Sequence, residues 1–129
     1  MITSLTPPQL PSPLARYAHG VSDSSSGLVL TSGQLAVTRD GSTPHGAEAQ
    51  AQLIFNNIEH ILIDAGTDKS GVLRINAYVT DREHMADYMR ARDGWLTEID
   101  HLPASTLMIV SGFTRPEFLV EIEVTARLI

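Results

Sequence analysis

Val120-Glu121-Ile122-Glu123-Val124-Thr125-Ala126-Arg127-Leu128 alternates apolar and polar side chains without a break. Successive side chains on a strand point to opposite faces, so this run has one apolar side and one polar side. Val120, Ile122, Val124, Ala126 and Leu128 form the first; Glu121, Glu123, Thr125 and Arg127 form the second. The stretch from Leu73 to Thr80 repeats the pattern, with Leu73, Ile75, Ala77 and Val79 opposed to Arg74, Asn76, Tyr78 and Thr80. Two strands with one apolar face each need a cover, and the chain supplies two helices for it. Ala47, Ala51, Ile54, Phe55, Ile58, Ile61, Leu62 and Ala65 fall on one helical stripe, and Gly66 stops it. Asp81 reads as the N-cap of a second helix, with Met85, Tyr88, Met89, Arg92, Trp95, Leu96 and Ile99 on its stripe.

Working outward, Tyr17–Ser22 and Leu28–Gly33 read as a hairpin around the polar turn Asp23–Gly27, with a further short strand over 34–37. Ser105–Ser111 reads as a strand that follows Pro103, and 112–116 as a turn. Prolines 7, 8, 11 and 13 predict an extended N-terminal stretch over 6–13. The order is hairpin, helix, strand, helix, strand, strand: a single α+β domain over 1–129 with helices on one face of the sheet. Arg74, Asn76, Tyr78, Glu121, Glu123 and Thr125 then occupy the uncovered face. That face is too polar for a second internal core and too mixed for a plain solvated surface, so a homo-oligomer packing sheet against sheet is expected.

Composition narrows the chemistry. Nine Lys and Arg against fifteen Asp and Glu give a net charge of −6, which lacks the electrostatic footprint of a nucleic-acid binder or a polybasic membrane ligand. The absence of cysteine removes disulfides, a thiolate nucleophile and Cys-containing zinc sites. The five histidines, at 19, 45, 60, 84 and 101, lack ligand spacing, so no metal is expected. No signal peptide or membrane span is read, and a cytoplasmic location is expected.

Six short motifs occur together. They are Tyr17-x-His19-Gly20, Thr31-Ser32-Gly33-Gln34, Phe55-Asn56-Asn57 with Ala65-Gly66, Tyr78-Val79-Thr80-Asp81, Pro103-Ala104 and Val120-Glu121-Ile122-Glu123. In this order and spacing the chain resembles the Rid family, the reactive intermediate deaminases, also called the YjgF or L-PSP family. The resemblance implies a chorismate-mutase-like (YjgF-like) α+β fold and a homotrimer whose sheets line a central barrel, with three small-molecule clefts between subunits. It further implies that water adds to a 2-imino or enamine acid and ammonia leaves, with no metal or organic cofactor. By the same resemblance an arginine holds the substrate carboxylate and a glutamate on the last strand assists the water.

Carried over residue by residue, the resemblance makes Glu121 and Tyr17 catalytic candidates. It places the Gly33 backbone at the border of the site beside Ser32. The arginine does not carry over: family deaminases read Pro-x-Arg-Ser or Pro-x-Arg-Thr where this chain reads Pro103-Ala104-Ser105-Thr106. A serine hydroxyl gives one neutral hydrogen bond where a guanidinium gives a charged pair, and that loss costs about 10–100-fold in binding. The usual 2-imino acid activity is therefore not expected, and Ser105 with Thr106 becomes a candidate ligand-binding pair. Arg74 or Arg16 would have to supply a cation from another direction.

Each candidate has a plainer alternative. Glu121 would be a sheet-face carboxylate paired with Arg74 or Arg127 across the subunit interface, and Tyr17 an edge-strand aromatic. His19 reads as structural, Trp95, Met85 and Met89 as core, and Phe113 as a hairpin-turn residue, the sharper alternative making it a wall of the cleft. Ser32 and Ser105 lack the Gly-x-Ser-x-Gly context of a serine hydrolase. Three functions follow: a cofactor-independent deaminating hydrolase of a small imine, enamine or related C–N compound; a non-catalytic homotrimer that binds a small metabolite; and an endoribonuclease, which the acidic charge opposes.

Overall fold

The structure, a computed structural model, describes all residues from Met1 to Ile129. Its strands are β1 (Ile2–Leu5), β2 (Gly20–Asp23), β3 (Leu28–Thr31), β4 (Gln34–Leu35), β5 (Val72–Val79), β6 (Ala104–Ile109) and β7 (Val120–Arg127). The helices are α1 (Ala47–Asp64) and α2 (Met85–Trp95). One sheet runs in the order β1-β2-β3-β7-β5-β6, with β4 also paired to β7. Every pairing is antiparallel except β5 with β6, which are parallel and joined through α2. The decisive run became β7, the strand that β3, β4 and β5 all pair with.

The period-2 and helical stripes meet in one core. Ile122, Val120 and Ala126 of β7, Ile75, Ala77 and Val79 of β5, and Ile54, Ile58, Ile61 and Leu62 of α1 are all fully buried. At about 25 cal/mol per Å2, each buried valine, isoleucine or leucine among them contributes roughly 1.5–3 kcal/mol. Phe55 of α1 stacks on Trp95 of α2 at 4.7 Å between ring centroids, which holds the second helix against the first. The end of α1 is closed by Gly66 at φ 89°: its N–H bonds the Ile63 carbonyl and the Thr67 N–H bonds the Leu62 carbonyl, both at 3.0 Å. That paired arrangement requires a left-handed residue, which glycine supplies without steric cost.

Five readings are corrected. Leu73 lies at a bulge between β5 and β7 and is exposed, and Val72 takes its place in the core. A bulge inserts an extra residue and reverses the local alternation. Residues 2–5, not read as a strand, form β1 against β2. The stretch over 6–13 is not continuously extended: Leu10 N–H bonds the Pro7 carbonyl at 3.2 Å and buries the Leu10 side chain. Asp81 caps a short 3-10 turn over Arg82–His84, not α2 itself, which begins at Met85. The first strand of the hairpin starts at Gly20, which leaves Tyr17 in the bend before it.

Gln50 is a buried polar residue that patterning did not single out. Its Nε2 donates to the Pro44 carbonyl at 3.0 Å and to the Glu117 carbonyl at 2.8 Å, and its Oε1 accepts from Leu119 N–H at 2.9 Å. It ties the first turn of α1 to the segment entering β7, and so fixes the start of the strand that carries Glu121. At the opposite side of the sheet β6 is an edge, with Met108 and Ile109 exposed.

Candidate functional site

The site begins where β3 gives way to β4. Ser32 turns the chain: its Oγ donates to the Ala18 carbonyl at 2.7 Å and its N–H bonds the His19 carbonyl at 2.8 Å. Gly33 follows, and β4 then pairs Leu35 with Glu121 on β7. A Cβ built on Gly33 would stand 2.8 Å from the Glu121 carboxyl carbon and 3.1 Å from both of its oxygens. The glycine therefore leaves the space in which the carboxylate rests. No side chain bonds either carboxylate oxygen of Glu121: Arg74 instead donates to Thr106 Oγ1 at 3.0 Å, and Arg127 makes no ion pair. Within one chain, then, no arginine pairs with Glu121.

Burial pushes the Glu121 carboxyl above the usual carboxylate range, and the charge of nearby Glu123 adds to it. Both effects disfavour the ionised form, which moves the group toward the range in which a carboxyl can both take and return a proton. Glu123 is itself held by Tyr78, whose hydroxyl donates to Oε1 at 2.9 Å. That bond, with burial and the two glutamates, raises the Tyr78 phenol above its ordinary value.

Tyr17 and Gly33 border one small recess of about 40 Å3, together with Pro11, Leu14, His19 and Gln34. A space of that size accepts a water molecule or two. Tyr17 is 46% exposed at its mouth. His19 is buried and held on both sides, Nε2 donating to the Pro11 carbonyl at 2.6 Å while Nδ1 faces the Gln34 amide at 3.4 Å. A carbonyl oxygen only accepts, so Nε2 carries the proton and the ring anchors the proline-rich segment.

Ser105 and Thr106 are not a pair. In the parallel register Ser105 lies beside Ile75 and Thr106 beside Asn76, so they stand on opposite faces of β6. Thr106 joins the polar face with Arg74. Ser105 stands on the helix side, near α2, and within one chain the sheet separates it from Glu121. Within one chain Arg74 Nη1 donates to Thr106, and Arg74 lies on the sheet face opposite Ser105. On the helix side the chain places two residues that sequence reasoning had assigned to the core stripe, Tyr88 and Arg92. The Tyr88 hydroxyl is buried with no hydrogen-bond partner.

A mixed seven-stranded sheet with two helices on one face, and a carboxylate set over a glycine at the β3–β4 turn, define the class: a YjgF-like α+β protein. The family model described as Endoribonuclease L-PSP matches residues 8–128. The chain belongs to this L-PSP family, also called YjgF or Rid. It is 25% identical to a RutC family protein of Aquifex aeolicus over 120 residues, 92% of this chain and 94% of that one. A protein of unknown function from Pseudomonas aeruginosa, PA3499, superposes with a TM-score of 0.88 at 30% identity, over 99% of this chain and 93% of that chain. YyfA of Yersinia pestis, described as a conserved Rid family protein, superposes with a TM-score of 0.91 at 23% identity, over 99% of this chain and all of that one. Family membership supports a role in binding or processing small molecules. No helix is long and apolar enough to cross a membrane.

Proposed function

We propose that this protein is a cofactor-independent hydrolase that adds water to the C–N double bond of a small imine, or of an enamine through its imine tautomer, and releases ammonia. The observation that carries the reading is Glu121: a carboxylate lodged over Gly33, raised by burial and bound by no cation or donor. Such a group accepts a proton from water as the oxygen attacks the imine carbon and passes it to nitrogen, giving a carbinolamine; a second transfer, from the carbinolamine hydroxyl to nitrogen, lets ammonia leave as the C–N bond breaks and the carbonyl forms. Tyr17, at the mouth of the neighbouring recess, covers the ligand, and the Gly33 backbone with Ser32 shapes the floor. The cleft lies between subunits of a homotrimer. Three features support that assembly: the polar sheet face with no cover, the exposed apolar edge at β6, and the placement of Ser105 and Glu121 on opposite faces of one sheet.

The test generates 2-imino acids in situ with an amino-acid oxidase and traps unreacted imine as its semicarbazone. Wild type that lowers the semicarbazone yield, with Glu121→Gln losing the effect, supports the reading. Wild type equal to buffer, with no gain in Ser105→Arg, refutes it; a gain in Ser105→Arg alone removes 2-imino acids as the substrate and keeps the cleft. One observation favours a second reading, a non-catalytic trimer that binds a small metabolite: Ser105 stands where the resemblance places the carboxylate-gripping arginine. A ligand that binds wild type and leaves unchanged would support that alternative. The endoribonuclease reading rests on the family description, and a net charge of −6 opposes it. RNA cleavage that vanishes on further purification would remove it.

A further inference from the structure

A carboxyl that shuttles protons must hold the proton itself, and Glu121 has a rival for it. Glu123 is the next residue on the same face of β7, roughly 6.5 Å further along the strand. Two carboxylates that close repel each other, so the first proton taken up relieves both. Such a pair titrates as a unit unless something distinguishes its members.

Tyr78 distinguishes them. It lies directly across from Glu121 in the β5–β7 register, yet its phenol reaches diagonally past that residue and donates to Glu123 Oε1 at 2.9 Å. Diagonal neighbours on an antiparallel pair are within reach of an aromatic side chain, so the contact needs no distortion. Glu121, the nearer residue by register, rests over Gly33 and receives no donor. One carboxylate therefore has a donor and the other has none. A hydrogen bond to an ionised carboxylate favours its charge, while burial without one opposes it. The donor is durable, because the Tyr78 phenol is raised above its ordinary value by that bond, by burial and by the two glutamates.

Little else in the chain competes for the choice. On this face β5 adds Arg74, whose Nη1 donates to Thr106 Oγ1 at 3.0 Å, and neutral Asn76 opposite Glu123. β3 presents Leu28 and Leu30, β4 presents Leu35, and β6 presents Thr106 and Met108, none of which titrates. Arg127 stands at the far end of β7 without an ion pair, and Lys69 beside that end is held by Glu59 at 3.9 Å. On the other face of the strand α1 buries no titratable residue. Within one chain, the charge that acts on Glu121 is that of Glu123.

We infer that Tyr78 is a positioning residue that selects the proton carrier: by holding Glu123 as the charged member of the pair, it leaves Glu121 to take and return the proton. This selection deepens the hydrolase reading, on which it rests for its part in the reaction, by giving the two carboxyls unequal roles, one a carrier and the other a fixed charge. It is tested on the carboxyls themselves, apart from turnover.

Glutamate is labelled with 13C at the side-chain carboxyl of the intact protein, and the Glu121 and Glu123 resonances are followed from acid to neutral pH without substrate. In wild type Glu121 is expected to take its proton at the higher pH, in a single step. Tyr78→Phe keeps the ring and removes only the donor, so the Glu121 curve should move to lower pH and broaden into two steps shared with Glu123. Glu123→Gln should also lower the Glu121 curve and leave it single-step. Adding Tyr78→Phe to Glu123→Gln should change Glu121 no further, which a merely structural role for the phenol would not predict. The acidic limb of imine hydrolysis should follow the Glu121 curve in wild type and in Tyr78→Phe. Glu123 taking its proton first in wild type, a Glu121 curve indifferent to Tyr78→Phe, or an effect of Tyr78→Phe that survives in Glu123→Gln would each overturn the selection. The wild-type order needs no substitution, so it decides the matter even where a variant does not fold. Distinct curves that merge in Tyr78→Phe, in a protein that hydrolyses no imine, leave the selection standing and remove the hydrolase; turnover with a Glu121 curve indifferent to Tyr78→Phe does the reverse.

Discussion

Replacing Gly33 by alanine separates the two demands made on that position. The residue has no left-handed backbone, so alanine enters without strain, and the loss of unfolded-state freedom stabilises by about 0.4–1 kcal/mol. The new methyl would stand 2.8 Å from the Glu121 carboxyl carbon. Carbon atoms prefer about 3.5–4.0 Å, so the carboxylate must withdraw by roughly 1 Å. Glu121 is the end of a flexible side chain and is not pinned by a hydrogen bond, so it can withdraw with little effect on the fold. A misplacement of about 1 Å costs on the order of 100-fold in rate, or about 2.7 kcal/mol of barrier. Gly33→Ala is therefore expected to melt within about 3 °C of wild type by circular dichroism while imine hydrolysis in the semicarbazone assay falls about 100-fold. Full activity in Gly33→Ala would refute the assignment of Glu121 as the proton-transfer group. A melting temperature lowered by about 10 °C would refute the claim that the carboxylate moves freely.

Wild type should place the acidic limb of its pH–rate profile above the ordinary carboxylate range, while Glu121→Gln stays inactive across it. The same variant has a stability signature. Because the folded carboxyl is raised, wild type loses stability as pH rises from the unfolded value of about 4.3 through the folded one. Glu121→Gln should thus be more stable than wild type at pH 7, with the difference vanishing below about pH 4 in urea titrations. Gln50→Ala strands two carbonyls and one N–H at the entrance to β7, and should cost about 3 kcal/mol, seen as a melting point lower by roughly 10 °C. Gly66→Ala meets no atom within 4 Å but forces a side chain to φ 89°, and should cost about 1 kcal/mol with catalysis unchanged.

What could be read in advance tracks how local its cause is. The β7 alternation and the α1 stripe are periodic in the chain itself, and both elements folded as their patterns required. The bulge at Leu73 arises from pairing with β7, a partner that β5 alone does not reveal. β1 is only four residues long, and β2 defines it. The opposite facing of Ser105 and Thr106 follows from strand geometry that adjacent residues always obey, so that signal lay in the sequence once β6 was assigned. The contact between Gly33 and Glu121 joins residues far apart in the chain, and the family resemblance pointed to both while the spacing did not. Tyr88 and Arg92 carry an ordinary core-stripe pattern. Their convergence on Ser105 depends on how α2 docks across β6, which no local periodicity encodes.

The placement of Ser105 and Glu121 on opposite faces of one sheet has a consequence for descent. Substitutions at position 105 face the helices, and within one chain they do not reach the packing against Gly33 in which Glu121 rests. Substitutions around Gly33 act on the other face and leave the helix side as it is. Under the proposed function, ligand choice and proton transfer are then open to separate retuning in a lineage, and a serine at position 105 leaves the carboxylate in its place.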